Sequence, residues 1–240
     1  MQEIINRAKE LLADGTVVRV LGWRIGDLPY NPEPSYFETA EDLEANFVYN
    51  GFCGANLSKY MIEGSKLEGK TLVFLKPCDT YSFNQLIKEN RVDREKAYII
   101  GIGCKGKLDV EKIKAQGVKG ILNIRGAEYD GPADTLTAET LYGEKTVPYK
   151  DAMLERCHVC KGKDHMVYDE LLGESTDTKD ADRFAEVEKI EAMSPEEKFA
   201  YFQSELSKCI RCNACRNVCP ACSCRKCVFD STKFDSAQKA

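Results

Sequence analysis

The chain has 240 residues, 34 Lys and Arg against 39 Asp and Glu for a formal net charge of −5, and 43 % hydrophobic residues. That length allows one sizeable core plus a small module. The acidic balance argues against nucleic acid, whose phosphates require a basic face, and no run of about 18 apolar residues is present to span a membrane.

Ile4, Ile5, Ala8, Leu11 and Leu12 recur on a helical period among Glu3, Arg7, Lys9 and Glu10, predicting an amphipathic helix over residues 1–15. The segment lacks the apolar centre and cleavage site of a signal peptide, so a cytoplasmic location is expected. A strand follows over 16–23, then a Pro-rich turn over 28–35 and helical stretches near 40–45 and 55–63. From Lys70 the pattern becomes regular. Apolar strands over 71–75, 97–102 and 120–124 alternate with helices over 79–89 and 109–116, the second stopped by Gly117. Such alternation predicts a parallel sheet with right-handed crossovers. Residues 135–139 and 144–149 read as strands of an antiparallel or irregular extension. A polar, acidic stretch over 173–183 marks a boundary. Beyond it, Ser194, Pro195 and Glu197 supply the N-cap, first-turn proline and capping-box glutamate of a helix over 195–208. The tail after Asp230 is polar and expected to fray.

Twelve cysteines are the anomaly. Disulfides are rare in the reducing cytosol, so this many thiols point to metal or redox chemistry. Cys209, Cys212, Cys215 and Cys219, with Pro220 behind them, form the C-x2-C-x2-C-x3-C-P run of bacterial ferredoxins, which binds a 4Fe-4S cluster. Cys222, Cys224 and Cys227 bring the block to seven, whereas two four-iron clusters need eight ligands. Either one cluster uses four of the seven, or Cys219, Cys222, Cys224 and Cys227 hold a second cubane and leave the first a ligand short. Zinc is the rival, but it favours two C-x2-C pairs set apart rather than a continuous run.

Four further cysteines are scattered. Cys78 lies just beyond the 71–75 strand and Cys104 just beyond the 97–102 strand. If those strands are parallel, both thiols sit at the carboxyl edge of one sheet, where such folds bind ligands. Cys157 and Cys160 add a C-x2-C pair, making a candidate second cluster site. Gly101, Gly103 and Gly106 also match the G-x-G-x-x-G turn of dinucleotide-binding folds, with Glu128 about 20 residues on. The late helix start near Asp109 and the cysteine in the turn speak against that reading. His158 and His165 read as solvated loop residues, with a ligand role beside the C-x2-C pair as the alternative. Cys53 reads as structural. The fold class is therefore α/β (or α+β), a mixed, partly parallel sheet with flanking helices over residues 1–180, plus a small helical ferredoxin-like module over 181–240.

Lys76-Pro77-Cys78, Gly101-Ile102-Gly103-Cys104 and Glu155-Arg156-Cys157-His158-Val159-Cys160-Lys161, in that order, resemble the β subunit family of coenzyme F-420-reducing hydrogenases and formate dehydrogenases. Tyr49-Asn50-Gly51-Phe52 and the helix near 56–61 are similar too, so the resemblance covers roughly residues 15 to 172. It implies that Cys78, Cys104, Cys157 and Cys160 ligate one 4Fe-4S cluster beside FAD, with FMN the less expected flavin. Gly51, Asn56 and Lys59 are the candidate flavin contacts, and no catalytic residue is assigned. The expectation is an iron–sulfur flavoprotein electron-transfer subunit with two clusters, or three if the C-terminal block takes a second. It would serve a cytoplasmic hydrogenase, formate dehydrogenase or heterodisulfide-reductase-like complex. Its partners would be other subunits of that complex and a small-molecule redox acceptor, a deazaflavin or another, or a ferredoxin. The alternatives are a flavin-free ferredoxin-type relay and a zinc-binding interaction module.

Overall fold

The computed structural model describes residues 1–129, 134–161, 164–175, 182–225 and 227. Most of the expected boundary stretch and all of the tail after Asp230 lie outside the described residues. The chain divides into two compact units, residues 1–181 and 182–240.

The first unit opens with α1 (Gln2–Ala13), which buries Ile4, Ile5, Ala8 and Leu11 as its apolar stripe dictates. Strand β1 (Arg19–Arg24) is buried along its middle. It pairs antiparallel with β2 (Glu33–Phe37), which includes part of the segment read as a Pro-rich turn. Pro34 is tolerated there because β2 is an edge strand, where a missing N–H costs no ladder bond. Helix α2 (Ala40–Asn46) is capped by Thr39, whose hydroxyl accepts from the Asp42 N–H at 3.2 Å. A 3-10 turn, Leu57–Tyr60, runs into the short α3 (Met61–Gly64).

Strand β3 (Thr71–Leu75), helix α4 (Pro77–Lys88) and strand β4 (Ala97–Ile102) form a parallel crossover unit. Both strands are almost wholly buried, as their continuous apolar sequences require. The next segment departs from the sequence reading. After α5 (Val110–Ala115), capped by Asp109, strand β5 (Ile121–Arg125) does not join the parallel sheet. It pairs antiparallel with β6 (Thr135–Thr140), and β6 with β7 (Gly143–Pro148), in a separate three-stranded sheet. The reason is visible in its side chains: Asn123 and Arg125 on one face are exposed while Ile124 on the other is buried, and a strand solvated on one face suits an antiparallel ladder. After the one-turn α6 (Glu155–His158), the place beside β4 is taken by β8 (Glu170–Leu172). The five-stranded sheet is thus mixed and mainly parallel, in the order β2-β1-β3-β4-β8. One hydrophobic cluster fills this sheet and its helices, and a second lies between α5 and the β5–β7 sheet.

The second unit contains α7 (Ala185–Glu191), α8 (Pro195–Ser207) and α9 (Ala214–Val218). Its best-specified feature is the capping box of α8: Ser194 Oγ accepts from the Glu197 N–H at 3.2 Å, and Glu197 Oε2 accepts from the Ser194 N–H at 2.8 Å. No residue of the three helices is buried, and Phe199, Leu206 and Ile210 are exposed. Among the described residues of the whole chain, no helix is long and apolar enough to cross a membrane.

Strand β8 has three residues, too few to hold an edge by ladder bonds alone. Glu170 pins it: Arg7 of α1 reaches both of its oxygens, at 2.6 and 2.9 Å, and the Tyr98 hydroxyl donates to it as well. The Arg7 contact holds the Glu170 carboxyl below the usual carboxylate range. Its folded pKa is depressed, so its stabilisation is present above the unfolded value near pH 4.3 and lost as pH falls. Replacing Glu170 with Gln is expected to cost about 1 kcal/mol above pH 5 and to converge with the wild type in acid. Urea unfolding at pH 7 and pH 3 measures both, and an equal cost at the two pH values would contradict the assignment.

Candidate functional site: four thiols at one sheet edge

Cys78 and Cys104 are delivered by the register of two strands. β3 and β4 pair in parallel from Thr71 opposite Ala97 to Leu75 opposite Gly101. The turns leaving them therefore emerge at the same carboxyl edge. Cys78 is the second residue of α4, after Pro77, where free N–H groups and the helix dipole favour a thiolate. Cys104 follows Gly103, where a Cβ would stand 2.3 Å from the carbonyl oxygen of Glu174. The Cys104 N–H donates to Ser175 Oγ at 3.1 Å.

Cys157 arrives by a short backbone zipper. Leu108 bridges Met153 antiparallel, the Leu154 N–H donates to the Lys107 carbonyl at 2.8 Å, and the Lys107 N–H donates to Cys157 Sγ at 3.4 Å. Arg156 ties the same segment to the Gly54 carbonyl at 3.2 Å. Cys160 lies two residues past α6. The four thiols are mutual electrostatic neighbours in a closed ring: Cys78 feels Cys104 and Cys160, and Cys157 feels the same two. Burial raises the Cys78 and Cys157 thiols above their ordinary range, and the neighbouring thiols add to it. Cys78 remains exposed, so its desolvation comes from a crowded rim rather than a sealed core.

Among the described residues, no group of three or more His, Cys, Asp or Glu gathers tightly enough for a single metal ion. A tetrahedral ion with thiolates at about 2.3 Å would hold them about 3.8 Å apart. A cubane spreads its thiolates over four irons, and a ring of four neighbouring but separated thiols suits that donor set.

Beside the ring is a buried charge centre that sequence patterning did not single out. Lys76, 2 % exposed, bonds Asp79 and the Ala55 carbonyl, each at 2.7 Å, and stands 4.5 Å over the Trp23 ring. Lys107, 5 % exposed, donates to the Asn50 carbonyl at 2.8 Å and stands 3.9 Å over Tyr49. Burial pulls both ammonium groups down. For Lys76 the attraction of Asp79 and Cys78 outweighs it and the pKa rises, whereas for Lys107 burial prevails and the pKa falls. Lysine is ordinarily a solvated residue, so neither position carries a signal of burial and only the structure reveals this pair.

The candidate flavin contacts separate. Gly51 lines a narrow cleft with Asn50, Lys107, Tyr129 and Tyr149 among others, whose volume of about 10 Å³ has room for about one water. Packing also requires this glycine, since a Cβ would lie 2.6 Å from the Leu108 side chain. Asn56 and Lys59 do not line that cleft. Asn56 caps the 3-10 turn through the Ser58 N–H at 3.0 Å and donates to Ser82 Oγ at 2.9 Å, and Lys59 lies on the same turn.

The glycine motif likewise has packing roles. A Cβ on Gly101 would meet Leu171 and His165, Gly106 has φ +93°, and no helix begins before Val110. Glu128 accepts from the Gly126 N–H at 3.1 Å. Cys53 is buried and accepts from the Asn50 N–H at 3.4 Å, consistent with its structural reading. In the second unit, Arg211 and Asn213 take left-handed φ values of 59° and 60°, turning the chain around Cys212, and the Arg211 N–H donates to Cys209 Sγ at 3.4 Å. Cys215 lies on α9 and Cys219 is its C-cap. Cys222 and Cys224 are exposed and Cys227 is partly exposed.

His165 is half-buried and held by backbone carbonyls rather than lying as a solvated loop residue. Its Nε2 lies 3.2 Å from the carbonyls of both Leu75 and Ile102, so with two acceptors facing it Nε2 carries the hydrogen. The ring staples the ends of the strands that precede Cys78 and Cys104.

No family model matches the chain. The F420-dependent formate dehydrogenase 1 subunit beta of Methanococcus maripaludis is 22 % identical over 293 aligned positions, covering 95 % of this chain and 73 % of the relative. A chain of the F420-reducing NiFe hydrogenase complex from Methanosarcina barkeri superposes with a TM-score of 0.47 at 16 % identity, over 65 % of this chain and 58 % of that one.

Burial lowers the pKa of His165, so its folded state is neutral where the unfolded chain takes up a proton below about pH 6.5. Stability should be full above that pH and fall below it. Replacing His165 with Ala is expected to remove that part of the pH dependence and roughly 1–2 kcal/mol of stability at neutral pH. Denaturant unfolding between pH 5 and 8 tests this, and an unaltered pH profile would contradict the staple. The alignment along 95 % of the chain makes it similar, at 22 % identity, to the β subunit of an F420-dependent formate dehydrogenase.

Proposed function

We propose that the chain is the iron–sulfur flavoprotein subunit through which a cytoplasmic oxidoreductase complex passes electrons between 4Fe-4S clusters and a flavin. The observation that carries this reading is the ring of Cys78, Cys104, Cys157 and Cys160 at the carboxyl edge of the parallel strands. These four would hold one cubane. Cys209, Cys212, Cys215 and Cys219 would hold another, with Cys222, Cys224 and Cys227 either spare or contributing to a third. A second observation supports metal in the C-terminal unit: its helices bury no apolar residue, and small units without a core rely on metal or on a partner.

When bound, a flavin beside a cluster converts single electrons into a hydride pair. The chain's own part is to fix the thiol ring through β3, β4 and the 107–154 zipper, and to keep Lys76 and Lys107 next to it. The Methanococcus maripaludis relative is named for F420 dependence, and a deazaflavin is the acceptor class proposed here, within a complex of further subunits. The alternative, a flavin-free relay, is favoured by one feature, the small volume of the cleft at Gly51.

Anaerobic purification with iron analysis and an absorption spectrum separates these readings. About eight irons or more per chain, with a resolved flavin band, is the expected result. Broad brown absorption alone selects the relay. A colourless protein that takes up zinc instead of iron contradicts both.

A further inference from the structure

We propose that the Lys107 ammonium is the fixed counter-charge of the cluster at Cys78, Cys104, Cys157 and Cys160, and that it sets the reduction potential of that cluster. The inference rests on the cluster reading above and concerns what this chain does to the cluster.

The argument starts from charge balance in a dry place. Lys76 and Lys107 are both buried, and Lys107 senses Lys76 as a like charge. Asp79 is committed to Lys76 at 2.7 Å, in a pair whose side chains are 2 % and 3 % exposed. Two cations and one carboxylate leave one positive charge over. Lys107 has the Asn50 carbonyl and the Tyr49 ring face as its contacts, and among the described residues no carboxylate lies within ion-pair distance of it. These contacts solvate an ammonium group without neutralising it. An unneutralised buried ammonium is costly and is retained where an anion completes it. Burial disfavours its charged form, and Cys104 is the first of the groups that oppose this, followed by Cys53 and Asp79. A cubane on four thiolates is a net anion, so a loaded ring supplies the missing charge.

Position makes Lys107 more than a neutraliser. Its own N–H donates to Cys157 Sγ at 3.4 Å, so one residue brings both a dipole and a full charge to the cluster. Net charge and hydrogen bonds to sulfur are the levers by which a protein sets a cluster's potential. On reduction one electron enters from a one-electron donor, no bond forms or breaks, and the cluster gains one negative charge. A fixed cation nearby stabilises the reduced form more than the oxidised form and raises the potential. Lys76 cannot substitute, because Asp79 cancels most of its field.

The test is an EPR-monitored dithionite titration of the anaerobically reconstituted full chain. The signal lost in Cys157→Ser identifies this cluster, and the C-terminal cluster is the internal reference. Lys107→Met should lower the reduction equilibrium of this cluster at least tenfold, 59 mV for one electron. It should leave the reference unchanged, and Lys107→Arg should restore the wild-type value. Lys107→Gln keeps a donor for the Asn50 carbonyl and serves if the Met variant does not fold. A neutral variant that folds, by circular dichroism, but no longer takes up this cluster, while Lys107→Arg does, counts for the counter-charge. An unchanged potential in the neutral variants overturns the proposal, as does lost flavin with an unchanged cluster potential. If Cys157→Ser removes no signal, the cluster assignment itself fails, a result distinct from failure of the Lys107 role.

Discussion

Parallel pairing of β3 with β4 is the constraint on which the rest of the site depends. Five residues of each strand run in register, and both chains leave the sheet at one edge. That alone puts Cys78 and Cys104 in the same neighbourhood, although 26 positions separate them in sequence by their numbers. Everything nearby serves that edge. His165 fastens the strand ends, Gly103 lets the Glu174 backbone pass against the turn, and the bridge of Leu108 to Met153 delivers Cys157. A one-residue slip between β3 and β4 would displace one cysteine turn against the other.

The same edge concentrates polar groups where the core would otherwise be apolar. Trp23, Tyr49, Lys76, Asp79 and Lys107 share one buried region, with the aromatic faces covering the two ammonium groups. Trp23 Nε1 has no hydrogen-bond partner among the described residues, an arrangement that costs a fold about 1–3 kcal/mol. Such departures from a purely apolar core collect at functional sites. Here they collect beside the electrostatic neighbours Cys78, Cys104, Cys157 and Cys160.

The legible part of this molecule was its punctuation. Continuous apolar runs at 71–75 and 97–102 announced buried parallel strands, and Ser194-Pro195 with Glu197 announced the start of α8. The cysteines announced chemistry because a C-x2-C-x2-C-x3-C-P run has few uses besides holding metal. The exposed side chains of Asn123 and Arg125 already distinguished β5 from its neighbours, yet alternation over five residues is a weak signal beside the stronger βαβ rhythm that precedes it. β8 was illegible for a physical reason: three residues show no period, and the strand is held by Arg7, more than 160 positions away. The charge centre was hidden in the same way, because burial of Lys76 and Lys107 is a property of packing. His165 looked like a loop residue until the two carbonyls that it joins were brought together.

The central claim of this account is that the four dispersed thiols share one iron–sulfur cluster at the sheet edge. Anomalous diffraction at the iron edge, from anaerobic crystals of the reconstituted full chain, tests it most directly. The account predicts a compact group of irons with Cys78, Cys104, Cys157 and Cys160 Sγ each about 2.3 Å from one of them, close to the thiolate–metal distance known for zinc. Iron confined to the C-terminal cysteines, with these four thiols bare or joined as disulfides, would contradict it.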